Sequence, residues 1–165
     1  MIVPRKVHKK LNKKDKKYLE KTNIAYDVYI EAKYYYHAAK LLEEKREPEK
    51  LFPPVIMNAA FSCELFSKAI LRHYNIELGR EHSLRKMYDK FPQDIKEQLK
   101  KGYKNGTENR FEAWIDDIAE MFEFWRYRFE HKKYSSPYSF VLEYMEVLKI
   151  TAEKIFENNV GGSTC

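Results

Sequence analysis

Glycine is scarce in this chain, at five in 165 residues, and there are only six prolines and two cysteines. Strand-like runs of valine, isoleucine and threonine are missing as well. These shortages argue against a sheet-based fold and leave an all-α domain as the expectation. Cys63 sits in an apolar stretch and Cys165 is the last residue, so no disulfide framework is expected and a reducing, cytoplasmic setting suits the chain. No uninterrupted apolar run reaches the roughly 18 residues of a membrane span, and the N-terminus has no hydrophobic signal core. The five histidines, His8, His37, His73, His82 and His131, include no His-x-x-x-His pair and no cysteine cluster accompanies them. No metal or other cofactor is therefore expected. A glycine-rich phosphate loop and a Ser/His/Asp arrangement are also missing.

What is present suits one domain: hydrophobic residues make up 44% and charged residues 34%. The net charge of +6 is unevenly spread. Residues 1–21 hold nine of the 31 lysines and arginines against only Asp15 and Glu20, so the rest of the chain is close to neutral. The expected organisation is a basic, flexible arm over 1–21, a helical domain over 22–158 and a flexible tail over 159–165. The arm could meet nucleic acid through its lysines or serve only solubility.

Within the domain, Ile24, Val28, Ala32, Tyr35, Ala39 and Leu42 step along one face of a first helix running from Thr22 to Glu44. The Tyr34-Tyr35-Tyr36-His37 cluster lies on it. Consecutive helical residues diverge, so at most two of those rings share a surface. Residues 46–50 read as a loop, and Pro53-Pro54 as the opening of a second helix that is apolar nearly all round to Leu71. Its polar exceptions are Asn58 and Ser62 in one row, and Glu64, Lys68 and Arg72 in another, a solvated edge with Glu64 placed to pair with Lys68 or, less readily, with Arg126. Gly79 breaks the chain. Short helices follow to Tyr88 and over Gln93–Lys100, then Gly102 and the Asn105-Gly106 turn. Ser136-Pro137 opens a last helix with Phe140, Tyr144, Val147, Leu148, Thr151 and Ile155 inward.

The organising element is a long helix capped by Thr107 and running to His131. Phe111, Ile115, Ile118, Phe122, Trp125 and Phe129 form its seam at alternating spacings of four and three. A second row, Trp114, Met121 and Phe124, is left for another partner and predicts a homodimer. Arg126 stands at the edge of the seam, within ion-pairing reach of Glu123 and Glu130, and His131 closes the stretch. Glu112, Asp116, Glu120 and Glu123 form an acidic stripe that reads as a solvated face.

Three stretches in order resemble the HEPN superfamily of helical nucleotide- and RNA-associated domains: AAFSCELFSKAIL (59–71), EHSLRKMYDKFP (81–92) and FWRYRFEH (124–131). The resemblance spans about Thr22 to Asn158. It implies an antiparallel bundle of four main helices with a short helical insertion between the second and third. It also implies a homodimer whose arginine–histidine motifs meet, and it implies RNA or a nucleotide as ligand. Many such domains are metal-independent endoribonucleases of toxin–antitoxin, defence or RNA-processing systems, with an antitoxin or nucleotidyltransferase as companion. Arg126 and His131, with four residues between, match the arginine–histidine motif. Tyr127 departs from it, being a bulky ring where active members carry Asn, Asp or His.

Metal-free RNA cleavage needs a base, an acid and a cation on the phosphorane; histidine and arginine suit those roles. Five residues of ideal helix turn Arg126 and His131 about 140° apart. Either the helix ends inside the motif or two copies meet. Three readings follow. One is a module binding RNA, a nucleotide or a partner through Arg126, Tyr127, Arg128, His131, Lys132 and Lys133. The second is a ribonuclease with Arg126 and His131 catalytic, leaving 2′,3′-cyclic phosphate ends. The third is a purely structural helical dimer.

Overall fold

The computed structural model describes residues 13–45, 48–103, 108–127 and 138–157, with side chains from Asn23 onward except around 46–50 and 104–109. Among these residues there are helices and no strands. In order they are α1 (Lys13–Glu44), α2 (Pro48–His73), α3 (Leu84–Lys90), α4 (Gln93–Gly102), α5 (Glu108–Asp117), α6 (Met121–Arg126) and α7 (Tyr138–Phe156).

Helix α2 is the centre of the bundle, with α1 along one side and α7 along another, and α6 and α3 against its remaining faces. The sequence accounts for that place. Ile56, Ala59, Ala60, Cys63, Phe66, Ala69, Ile70 and Leu71 are all fully buried, so every side of this helix needs a neighbour. Its Leu51–His73 stretch is long and apolar enough to cross a membrane, against the expectation from uninterrupted runs. However, 72% of the most apolar window is buried within the bundle. Burial also raises the pKa of the Cys63 thiol, which is free.

The α1–α2 contact is tight, and the reason is small residues. Ala25, Ala32 and Ala39 recur every seven positions on α1 and are buried with Tyr29 between them. On α2, Ser62 donates from Oγ to the Ala32 carbonyl at 3.0 Å. The buried face of α1 is thus rotated from the expected one. Ile24 is 48% exposed, and Val28, Tyr35 and Leu42 are only partly covered. The alanines let the two backbones approach, and packing followed them and not the bulkier row.

Other boundaries also move. Helix α1 begins at Lys13, so the end of the expected flexible arm is helical; residues 1–12 lie outside the described residues. Helix α2 begins at Pro48, a suitable first-turn residue, which places Pro53 and Pro54 inside it. The end of α2 is set by Asn75 and not by Gly79. Asn75 adopts φ 59°, while Ile76 N–H reaches the Leu71 carbonyl at 2.9 Å and Asn75 N–H reaches that of Arg72 at 3.0 Å. That pair of bonds is a Schellman stop, with asparagine in the left-handed position. At the end of α4, Gly102 lies so close to Val147 of α7 that a Cβ there would stand 2.7 Å from its Cγ1.

The expected long helix is two. Helix α5 stops at Asp117 and α6 restarts at Met121. The Ala119 carbonyl accepts from the N–H of Leu84, the first residue of α3, at 2.8 Å. The tight turn at 118–120 and that long-range bond replace continuous helical bonding, and two aspartates at the end of α5 oppose its dipole. The apolar seam survives the break: Phe111, Ile115, Ile118 and Trp125 are buried and Phe122 partly so; Phe129 lies outside the described residues. In α7, Phe140, Tyr144, Val147, Leu148 and Thr151 point inward as expected, and Ile155 is partly covered.

Polar links tie α1 to α7. The Tyr29 hydroxyl donates to Glu157, Lys33 pairs with the same carboxylate at 2.8 Å, and Tyr36 donates to Glu146 at 2.9 Å. Burial, then the Glu146 bond, pushes the Tyr36 pKa up to about 12. Because the folded pKa lies above the ordinary value of 10.0, the stability tied to Tyr36 is present below pH 10 and lost as pH rises towards about 12. Urea titrations between those limits should show a shallower loss for Tyr36→Phe than for the parent.

Candidate functional site

Arg126 is the last residue of α6, and Tyr127 follows it out of the helix with φ −113° and ψ 25°. The helix therefore ends inside the Arg126–His131 motif, one of the two arrangements that the spacing required. Arg128, His131, Lys132 and Lys133 lie outside the described residues.

Arg126 opens onto a groove of about 260 Å³, walled by Tyr35 of α1, Met57, Asn58 and Phe61 of α2, and Phe122 of α6. Phe61 and Phe122 are stacked, with centroids 4.5 Å apart, and Tyr35 stands edge-on to Phe61 at 4.4 Å. Helix geometry explains the set. Phe122 and Arg126 are four apart on α6, as Met57 and Phe61 are on α2, so each pair lies in a row facing the other helix. Asn58 donates from Nδ2 to the Pro54 carbonyl at 2.7 Å, which leaves its side-chain oxygen as an acceptor.

The Arg126 guanidinium makes no ion pair with Glu123 despite the helical spacing. It lies over the Tyr127 ring, 5.5 Å from the centroid, and both side chains are exposed. Several other cations are paired: Lys40 with Glu43 and Glu146, Arg85 with Asp89 and Asp116, Lys100 with Glu112. The last two pairings also account for half of the expected acidic stripe, and Lys100 lowers the Glu112 pKa.

Of the row expected to hold a second subunit, Met121 is buried, while Trp114 and Phe124 are partly covered within the chain. Met121 is 1% exposed and accepts the Trp125 indole N–H at its sulfur. Trp114 packs against Tyr103 and Phe140, each at 5.2 Å, and Phe124 against Trp125. Tyr103 and Phe140, distant in sequence, supply the cover that helical spacing alone could not foresee.

Glu64 corrects another expectation. It is no solvated edge: it is 1% exposed, with Oε1 taking the Lys68 ammonium at 2.6 Å and facing His82 Nδ1 at 2.9 Å. Its partners are thus Lys68, as its spacing foretold, and His82, which lies 18 residues further along the chain; Arg126 lies at its own groove. The bond pins the connection after α2 onto the helix. The signal for it was the histidine just before the short helix α3. Beside Lys68, a cleft of about 390 Å³ is lined by Ile24, Arg72, Ile76 and Leu78. Among the described residues no three histidine, cysteine or acidic side chains stand together as a metal site would need.

The fold and groove define an all-helical bundle with an arginine-headed aromatic surface. Comparison with protein-family models, with characterised proteins and with solved structures finds no match to this chain.

Proposed function

We propose that this chain is a HEPN-like helical module that binds RNA or a nucleotide at the groove beside Arg126. In this reading the four main helices are α1, α2, the broken pair α5–α6, and α7, and α3 with α4 is the insertion between the second and third. The observation that carries it is the Arg126 guanidinium, without an ion pair among the described residues, at the mouth of an aromatic groove. A guanidinium fork matches phosphate oxygens, and exposed ring faces accept bases regardless of sequence. The exposed Tyr127 extends the stacking surface.

Binding of a short fluorescent single-stranded RNA, followed by anisotropy at fixed low salt, tests this. Arg126→Ala should weaken it about tenfold, the worth of one charge-assisted phosphate contact, and Tyr127→Ala by less. Equal affinity of parent and Arg126→Ala would remove the proposal.

The ribonuclease reading draws support from the end of α6 at Arg126, since a chain leaving the helix there is free to bring His131 to the same side. It requires cleavage in the presence of a chelator, 2′,3′-cyclic phosphate ends, and loss of both with His131→Ala. Tyr127, packed under the guanidinium, favours binding over cleavage.

A further inference from the structure

The two most exposed large apolar side chains among the described residues, Tyr34 at 68% and Leu41 at 57%, lie on the same face of α1. With Ala38 between them and Glu31 and Lys45 beyond, they form one stripe at spacings of three and four, opposite the buried alanine face. The charges at its two ends are of opposite sign. Neither Glu31 nor Lys45 makes an ion pair among the described residues. Neither has an opposite charge three or four positions away on α1, whereas Lys40 has Glu43 and Glu146.

We propose that this stripe is the contact with a second copy of the chain, made by two antiparallel α1 helices about a twofold axis at Ala38. Glu31 and Lys45 are each seven residues from Ala38, so antiparallel pairing sets Glu31 against the partner's Lys45, twice by symmetry. Tyr34 and Tyr35 then meet the partner's Leu41 and Leu42. Ala38 at the axis lets the helices come together, with the larger side chains on either side filling the space. The stripe is self-complementary in shape and in charge, which is what a twofold contact demands and what a contact with an unrelated protein does not.

This surface differs from the row on α5 and α6 that the spacing first suggested, and it borders the Arg126 groove through Tyr35. The partner's Leu41 would close the α1 side of that groove; this part rests on the groove being a binding site, while the dimer itself does not.

The test is sedimentation equilibrium of the full chain over a concentration range of about 1 to 500 μM, spanning standard protein–protein affinities. The parent should self-associate to a dimer. Leu41→Glu should weaken association by about tenfold or more, since it puts a charge at the centre of the contact. Glu31→Lys and Lys45→Glu should each weaken it by setting like charges together, and the double exchange should restore it. All three positions are exposed or at a helix end, and circular dichroism checks that each variant keeps its helices. A parent that stays monomeric overturns the proposal. So does a dimer indifferent to Leu41→Glu, or a double exchange no better than the single ones. Arg126→Ala should leave the dimer intact while RNA binding falls, which separates the failure of this interface from failure of the groove.

Discussion

Alanine in place of Glu64 is expected to lower stability by about 3 kcal/mol, the cost of breaking a buried ion pair by removing one partner. The carboxylate is fully enclosed, and Lys68, with 16% of its side chain exposed, would keep a charge that nothing nearby neutralises. His82 would also lose its hold on α2, loosening the connection between α2 and α3. Glu64 Oε2 is buried and makes no hydrogen bond among the described residues, so Lys68 and His82 at Oε1 carry the compensation of the charge. A double replacement, Glu64→Leu with Lys68→Met, should recover most of the loss, since it removes both charges and keeps the volume. Urea unfolding of the three proteins measures this through the midpoint at constant slope. If Glu64→Ala unfolds at the parental midpoint, the pair contributes nothing.

Phe111→Ala is the second large effect, with an expected loss of roughly 4 kcal/mol. Phe111 is 0% exposed and lies among Tyr88 at 5.9 Å, Tyr103 and Phe140 at 5.7 Å, and Tyr144 at 6.1 Å. Those rings come from α3, the end of α4 and α7, so the one side chain joins the small helices to the bundle. Removing it leaves a cavity whose rigid aromatic walls cannot collapse. Phe122→Ala should cost less, because Phe122 is only partly buried and one side of its stack on Phe61 opens to the groove. Thermal and chemical unfolding of the two variants side by side should rank them in that order. A smaller loss for Phe111→Ala than for Phe122→Ala would mean that the small helices are not held by this cluster.

Much of the fold was legible because it depends on period and punctuation. The seam Phe111–Ile115–Ile118–Trp125 and the inward row of α7 follow from helical spacing, and both are buried. Helix α2 reads as central since it has no polar face wide enough for solvent. At the site, the place of Arg126 on an apolar seam was legible, whereas the helix was expected to run to His131, and the separation of about 140° left its end inside the motif as one of two alternatives. The alanine repeat of α1 was available in the sequence and outweighed by the bulkier row.

The sequence by itself determined that this is a helical protein, where most of its helices lie, and which residues are apolar enough to make the core. Only the tertiary structure decided which side of each helix is covered. The Ala119 carbonyl is taken by Leu84, so one expected helix became two. Tyr103 and Phe140 pack on Trp114, so a side chain that helical spacing left without a neighbour is partly covered from within the chain. His82 reaches Glu64, so an apparent surface charge became a buried anchor. Each of these joins residues distant in the chain, and spacing along one helix carries no information about what packs against it from elsewhere.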